Sequence, residues 1–153
     1  MTAFAAKHVR RSHTIHVDAP VDEVFPLLTP AGEELWVDDW SPSYLHPRDG
    51  ETQAGMVFTT GAGDDLTCWM LVDYDPVRHT ERYARVMPAS RFGVVEVACE
   101  AEGARRTRVT VAYTYTALTE AGNAFIDAFT EESYREMIEE WQRLMTAHLA
   151  RGR

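Results

Sequence analysis

Residues 105–149, RRTRVTVAYTYTALTEAGNAFIDAFTEESYREMIEEWQRLMTAHL, contain the two patterns that decide the fold. Apolar and polar residues alternate over residues 105–117, which predicts a β-strand with one covered face and one face in solvent. After Thr119 apolar residues recur at helical spacing, and Thr130 is a typical N-cap for a second helix that ends near Leu149. This helix should be ~30 Å long, about the width of six or seven strands. It can therefore lie across one face of a sheet.

The rest of the chain supplies the other strands of that sheet. Short turns rich in Gly, Pro and Asp separate segments of period-two alternation, and connections this short join sequential antiparallel strands. Two short helices follow the first strand, because Pro20 and the pair Thr29-Pro30 are helix-start signals. Pro26 keeps the first of them short, and the second is expected to end near Trp36. The remaining predicted strands are 10–17, 43–46, 55–60, 65–74, 79–87 and 91–101.

The size and charge of the chain exclude several classes of function. Its 153 residues suit a single domain, which we place at residues 10–150 after a tail of residues 1–9. The 15 Lys and Arg residues against 24 Asp and Glu residues give a net charge of −9, which would repel nucleic acid or an anionic membrane. No segment approaches the ~18 apolar residues of a membrane span, and the N-terminus lacks the pattern of a signal peptide. We therefore expect a cytoplasmic protein without a nucleic-acid partner and without membrane insertion.

Neither the cysteines nor the histidines suggest a metal site. Cys68 and Cys99 are the only cysteines in the sequence, and one predicted strand separates them by ~10 Å, too far for a disulfide. We expect both thiols to be reduced and buried. None of the six histidines has HxxxH or HExxH spacing, and His13 and His16 on the first strand point to opposite faces. Glycine motifs for phosphate or dinucleotide binding are absent from the sequence, so we predict no metal and no other cofactor.

Three segments resemble one known superfamily: IHVDAPVDEVFPLLTPAGEELWVDDW at 15–40, TCWMLVDYDPVRHTERYARVMP at 67–88 and TRVTVAYTYTALTEAGNAFI at 107–126. They are similar to the START-like (SRPBCC) helix-grip superfamily, and in particular to its bacterial polyketide cyclase/dehydrase and lipid-transport members. The resemblance covers residues 10–150. It implies an α+β fold in which a curved antiparallel sheet of six or seven strands grips the C-terminal helix, with a deep apolar cavity between them. Because this superfamily contains binders, carriers, enzymes and interaction modules, the fold alone does not define the function.

A set of mostly aromatic side chains is predicted to converge beneath the C-terminal helix, either as a packed core or as the lining of a ligand pocket. The candidate ligand-binding residues are Trp36, Trp40, Trp69, Tyr83, Arg85, Tyr113, Tyr115, Met137, Trp141 and Met145. We expect a cavity on the order of several hundred Å³ or more, the scale of small-molecule pockets. Its expected walls are Trp69, Tyr83, Tyr113, Trp141 and Met145. No motif identifies a catalytic residue, so none is assigned.

Arg85 distinguishes between the functional alternatives. It shares one strand face with Glu81 and Tyr83, and this face points either into the cavity or to solvent. Burial of an unpaired guanidinium costs on the order of several kcal/mol. We therefore expect Arg85 either to point outward or to pair with Glu81, as suits a binding protein.

The favoured function is binding of a small hydrophobic ligand such as a lipid, a polyketide or another secondary metabolite. The first alternative is a cyclase or dehydratase that acts on such a ligand without metal or nucleotide, in which a cavity arginine would contact the substrate directly. The second alternative, implied by the resemblance, is a protein-interaction module like the chaperone ATPase activators that share the fold.

Overall fold

The computed structural model of the protein describes residues 3–152 and contains one antiparallel sheet of seven strands. The strands are β1 (His8–Val17), β2 (Ser43–His46), β3 (Val57–Thr60), β4 (Thr67–Asp75), β5 (Thr80–Met87), β6 (Arg91–Ala101) and β7 (Thr107–Ala117). Their order across the sheet is β1-β7-β6-β5-β4-β3-β2, so every neighbouring pair except β1 and β7 is also consecutive along the chain. Sequential antiparallel pairing therefore builds most of the sheet, as the short predicted turns indicate.

Short helices connect β1 to β2, and two longer helices follow β7. The helices are α1 (Val21–Val24), α2 (Pro30–Glu33), α3 (Glu120–Ala128) and α4 (Glu131–Arg151), with 3₁₀ turns at Phe25–Leu28 and Gly63–Asp65. A threonine caps three of these helices: the side chains of Thr29, Thr119 and Thr130 each accept a hydrogen bond from a backbone N–H of the first turn. The start signals recognised at Thr29 and Thr130 are therefore confirmed.

Helix α4 packs on one face of the sheet, called the inner face below. The buried residues of this helix are Tyr134, Ile138 and Met145. The hydroxyl of Tyr134 donates a 2.6 Å hydrogen bond to the carbonyl oxygen of Val111, which fixes the helix to β7, the strand next to the edge strand β1. Met137 and Trp141 are partly buried against the same core. The predicted α+β helix-grip fold is confirmed.

Six strand boundaries differ from the prediction by one or two residues: the starts of β1, β3, β4, β5 and β7 and the end of β4. Two of these differences have a clear local cause. β1 begins at His8 instead of residue 10, because the backbone N–H of Lys7 donates a 2.8 Å hydrogen bond to the side chain of Asn123 and so ties the start of the strand to α3. β3 begins at Val57 instead of residue 55, because Gly55 adopts a φ of 88° and forms a turn ahead of the strand. Both differences arise at element ends, where backbone contacts rather than side-chain periodicity set the boundary.

The two cysteines lie on opposite faces of the sheet. Cys99 on β6 points to the inner face and is 2% exposed, whereas Cys68 on β4 is only partly buried. The prediction that both are buried is therefore wrong for Cys68, which alternates with the inward-facing Trp69 and so lies on the face without a covering helix. Both thiols are free, and β5 separates their strands as expected.

Candidate functional site

A small cavity lies between the inner face of the sheet, the segment around α2 and helix α4, with a volume of about 130 Å³. Six of the ten predicted ligand-binding residues line it: Trp40, Trp69, Tyr83, Arg85, Tyr113 and Trp141. The prediction of several hundred Å³ is wrong, because aromatic rings fill most of the space. Trp69 stacks on Phe58 with 5.6 Å between ring centroids, and Trp40 meets Trp69 edge-on at 5.7 Å.

Four of the predicted residues lie outside the cavity wall. They are Trp36, Tyr115, Met137 and Met145. Trp36 is buried against the ring of Trp141, with 5.9 Å between their centroids, and Tyr115 packs against Phe129 at 5.1 Å. Met145 is completely buried in the core, so the prediction that it forms part of the cavity wall is wrong. These side chains point inward as predicted, but they pack against other side chains rather than against open space.

The sequence prediction omits five lining residues: Glu33, Val37, Phe58, Val95 and Val97. The alternation along β6 already places Val95 and Val97 on the inner face, so these two could have been included. Glu33 carries no such signal, because a carboxylate in a short polar helix is usually exposed. It becomes a lining residue only because α2 packs against the sheet.

Arg85 points into the cavity. Its guanidinium carbon lies 4.4 Å from the centroid of the Trp69 ring and 5.6 Å from that of Tyr115, and it forms no ion pair with Glu81. The prediction that Arg85 points outward or pairs with Glu81 is therefore wrong. The physical reason is Gly93, the β6 residue opposite Arg85, where an added Cβ would lie 2.6 Å from the Tyr115 ring and 3.1 Å from Arg85 Cγ. Without a side chain at this position, both groups can lie flat on the sheet.

Glu81 is a buried carboxyl group next to the cavity residue Tyr83. It is 3% exposed, and its Oε1 has no hydrogen-bond partner within residues 3–152. The hydroxyl of Tyr83 lies 3.3 Å from Glu81 Oε2 and donates a shorter 2.9 Å hydrogen bond to the carbonyl oxygen of Leu28. Burial and the nearby Glu33 raise the pKa of Glu81 well above its usual value, and the Tyr83 hydrogen bond offsets only part of this. The neutral acid is thus favoured at Glu81.

Glu33 supplies a second carboxyl group on the cavity wall. Part of this residue is exposed, but its carboxyl group lies in the protein interior, where burial raises its pKa well above the usual value. Burial also raises the pKa of the lining phenol Tyr113, so this group keeps its proton. The cavity therefore combines an aromatic lining with one carboxyl group, that of Glu33, with two phenols whose pKa values burial also raises, Tyr83 and Tyr113, and with one positive charge, that of Arg85.

A larger groove of about 590 Å³ crosses the outer face of the sheet, but its chemistry differs. Its lining is mainly polar and charged, and Arg82 there is paired with Asp73 at 3.6 Å. Sites for small ligands are typically apolar and contain a few convergent polar groups. The inner cavity fits this description and the outer groove does not.

The described part of the chain offers neither a cluster of metal ligands nor a membrane-spanning helix. Within residues 3–152, no three His, Cys, Asp or Glu side chains are grouped so that they could hold a metal ion together. In the same range, no helix is both long enough and apolar enough to cross a membrane. His13 and His16 instead lie near carboxylates, with His13 3.3 Å from Glu139 and His16 3.1 Å from Glu102.

A sheet of seven antiparallel strands that holds a long C-terminal helix over an aromatic cavity defines a helix-grip protein. Residues 8–150 match the family described as polyketide cyclase / dehydrase and lipid transport, and the chain belongs to this family. No curated protein sequence matches the chain significantly. The family match supports hydrophobic ligand binding in general terms.

Solved structures that share this fold include two plant proteins and one protein from a biosynthetic pathway. Norcoclaurine synthase from Thalictrum flavum, solved with dopamine and hydroxybenzaldehyde, has a TM-score of 0.63 at 12% identity, over 94% of this chain and 88% of that one. The ginseng major latex-like protein 151 from Panax ginseng has a TM-score of 0.65 at 14% identity, over 92% and 97% of the two chains. The di-domain ARO/CYC BexL from the BE-7585A biosynthetic pathway has a TM-score of 0.66 at 16% identity, over 90% and 46%. At these identities the similarity shows the fold alone.

Proposed function

We propose that the protein binds a small ligand, with an apolar body about the size of one aromatic ring, in the cavity beneath α4. The aromatic cavity beneath α4 carries this proposal. Its volume of about 130 Å³ approaches that of protein cavities which accept benzene, roughly 150 Å³. The family match supports ligand binding, and the related norcoclaurine synthase structure contains dopamine and hydroxybenzaldehyde, each built on a single ring.

A lipid or a polyketide, the larger ligands that the sequence resemblance implies, would require the cavity to widen. Trp141 is the side chain best placed to move, because it is partly buried and its indole N–H forms no hydrogen bond within residues 3–152. The indole N–H of Trp40, in contrast, donates a 2.9 Å hydrogen bond to the carbonyl oxygen of Pro30. Rotation of Trp141 would extend the cavity toward α4 without loss of a hydrogen bond.

The proposal is tested with two substitutions on neighbouring residues of β6. Val95→Phe places a ring in the cavity, whereas Val94→Phe adds the same ring to the outer face. Toluene and p-cresol are titrated by calorimetry, and their effect on the thermal unfolding temperature is measured. We expect saturable binding to the wild type and to Val94→Phe, and loss of binding in Val95→Phe. Equal binding to all three proteins, or no saturable binding to the wild type, would contradict the proposal.

The second candidate function is an enzyme of the cyclase or dehydratase type. The observation that favours it is the buried carboxyl of Glu81, with one unpartnered oxygen and a pKa raised by burial. A protonated carboxylic acid can donate a proton to a leaving hydroxyl group, which departs as water, and the resulting carboxylate can accept the proton lost from the neighbouring carbon. Tyr83, hydrogen-bonded to Glu81 and exposed to the cavity, would link this acid to a ligand.

This candidate predicts a separation of binding from turnover. A ligand that remains with the gently purified protein is identified by native mass spectrometry, and its loss of one water molecule is then followed over time. If the protein is an enzyme, Glu81→Gln should still bind the ligand, but the ligand should no longer lose a water molecule. If the mass of the ligand does not change with the wild-type protein, the enzyme candidate is contradicted and only the binding function remains.

A further inference from the structure

Arg85 lacks a counter-ion. Its guanidinium lines the cavity and stacks on Trp69, yet it forms no hydrogen bond and no ion pair with any residue in the described range. Arg82 provides the contrast on the outer face of the same strand, because it lies 3.6 Å from the carboxylate of Asp73. The strand thus pairs its exposed arginine and leaves its inward-facing arginine unpaired.

A second arginine strengthens the positive charge at this end of the inner face. Arg91 is 8% exposed, and its guanidinium carbon lies 4.8 Å from the ring centroid of Tyr115. Its hydrogen-bond partners, Ser90, Met87 and Tyr115, are all neutral groups, and its Nε has no partner among residues 3–152. Tyr115 therefore lies between two guanidinium groups, and neither of them has a carboxylate partner in the described structure.

The carboxyl groups nearest the cavity do not balance this charge. Neither Glu33 nor Glu81 forms an ion pair within residues 3–152, and burial shifts both toward their neutral forms. Arginine stays protonated under all ordinary conditions. The cavity region thus holds a positive charge that the described side chains do not neutralise.

The position of Arg85 leaves its polar edge available. A guanidinium that stacks on a ring uses its face for that contact, and its N–H donors radiate in the plane of the group. Such an edge matches a carboxylate through two parallel hydrogen bonds. The aromatic walls provided by Trp40, Trp69 and Trp141 suit a flat apolar group attached to that carboxylate.

We propose that the cavity ligand is an aromatic carboxylic acid of single-ring size, bound as its anion with the carboxylate on Arg85. This inference rests on the proposed binding function and adds the charge class of the ligand. The carboxylate would supply the counter-ion that Arg85 lacks, and the ring would occupy the space between the tryptophans. Arg91 would add long-range attraction without touching the ligand, since it lies outside the cavity wall.

The test compares ligands of equal shape and different charge. Benzoate and benzamide are titrated into the wild-type protein at pH 7 by calorimetry, together with phenyl phosphate. Hydrogen bonds to charged groups contribute roughly 1.5–3 kcal/mol, so benzoate should bind about ten- to a hundredfold more tightly than benzamide. The same titrations use Arg85→Met, which should bind the two equally, and Arg82→Met as the matched control, which should keep the preference. If Arg85→Met does not fold, Arg85→Gln replaces it and should lose most of the preference, because its amide carries no charge.

The outcomes separate this inference from the proposed function. Saturable binding of benzamide and benzoate with equal affinity would overturn the acid assignment and leave ligand binding intact. Tighter binding of phenyl phosphate than of benzoate would also overturn it, in favour of a different anion. No binding of any of the three, with toluene and p-cresol also failing to bind, would remove both proposals.

Discussion

The phenol oxygen of Tyr83 lies 3.3 Å from Oε2 of Glu81, two residues earlier on the same face of β5. The Tyr83 hydroxyl also donates a shorter hydrogen bond, 2.9 Å long, to the carbonyl oxygen of Leu28, so its single proton gives Glu81 little compensation. Glu81 is consequently a buried acid with one weak hydrogen bond. Its burial therefore raises its pKa and favours the protonated form in the folded protein.

The first prediction concerns the pH dependence of stability. In the unfolded chain Glu81 ionises near pH 4.5, whereas in the folded protein it keeps its proton to a higher pH. Between these two values the folded state binds more protons than the unfolded state, so the free energy of unfolding falls as the pH rises. Glu81→Gln mimics the neutral acid and does not titrate. Its free energy of unfolding, measured by urea denaturation from pH 4 to pH 8, should therefore increase relative to that of the wild type.

Glu140→Gln is the control for this experiment, with the opposite sign. The hydrogen bond from Arg143 lowers the pKa of Glu140, so its contribution to stability is present above the unfolded pKa and is lost as the pH falls. The effect should be small, because both side chains are exposed. A stability difference between Glu81→Gln and wild type that does not change with pH would contradict the prediction.

The second prediction concerns the contact of α3 with the β5–β6 turn. A Cβ added at Gly122 would lie 2.0 Å from the carbonyl oxygen of Ser90, a backbone atom that cannot move alone. Gly122→Ala should therefore lower the free energy of unfolding by about 1–3 kcal/mol or more, as overpacking does. A Cβ added at Gly152 would lie 3.7 Å from the carbonyl oxygen of Leu149, so Gly152→Ala at the helix end should change stability little. Equal denaturation midpoints for the two variants would show that α3 can shift freely.

The third prediction tests how α4 is held against the sheet. Tyr134→Phe removes the buried 2.6 Å hydrogen bond to the Val111 carbonyl and should cost about 1–2 kcal/mol of unfolding free energy. Tyr44→Phe is the matched control, because its hydroxyl donates to Glu34 Oε2 at an exposed site and should contribute much less. Urea denaturation of both variants checks the difference. A larger loss in Tyr44→Phe would mean that the Tyr134 contact does not hold the helix.

The strand and helix pattern could be predicted because each period arises from burial on one side only. The alternation over residues 105–117 and the apolar stripe of α4 reflect contact with the same core, so the two signals agree. The cavity volume could not be predicted, because it depends on ring orientations such as the stacking of Phe58 on Trp69. Periodicity shows that these rings point inward, but it does not show how closely they pack.

The prediction of the direction of Arg85 was wrong for a different reason. Both faces of β5 mix apolar and charged residues: Glu81, Tyr83 and Arg85 on one, Arg82, Ala84 and Val86 on the other. Alternation within the strand therefore cannot identify the inner face. The deciding feature is the pairing of Arg85 with Gly93 on the next strand, which leaves room on the inner face for the guanidinium and the Tyr115 ring.

The last prediction concerns the reactivity of the two thiols. Burial and the nearby Glu81 raise the pKa of the Cys99 thiol to about 12, whereas Cys68 lies partly exposed on the outer face. Because the thiolate is the reactive form, a water-soluble disulfide reagent at pH 8 should modify Cys68 in the native protein and reach Cys99 only when the chain unfolds. Cys68→Ser should leave almost no fast-reacting thiol, and Cys99→Ser should react as the wild type does. The released thiolate is followed by absorbance, with and without urea. Two equally fast thiols in the native protein would contradict this prediction. They would show that solvent reaches Cys99 on the inner face of the folded protein.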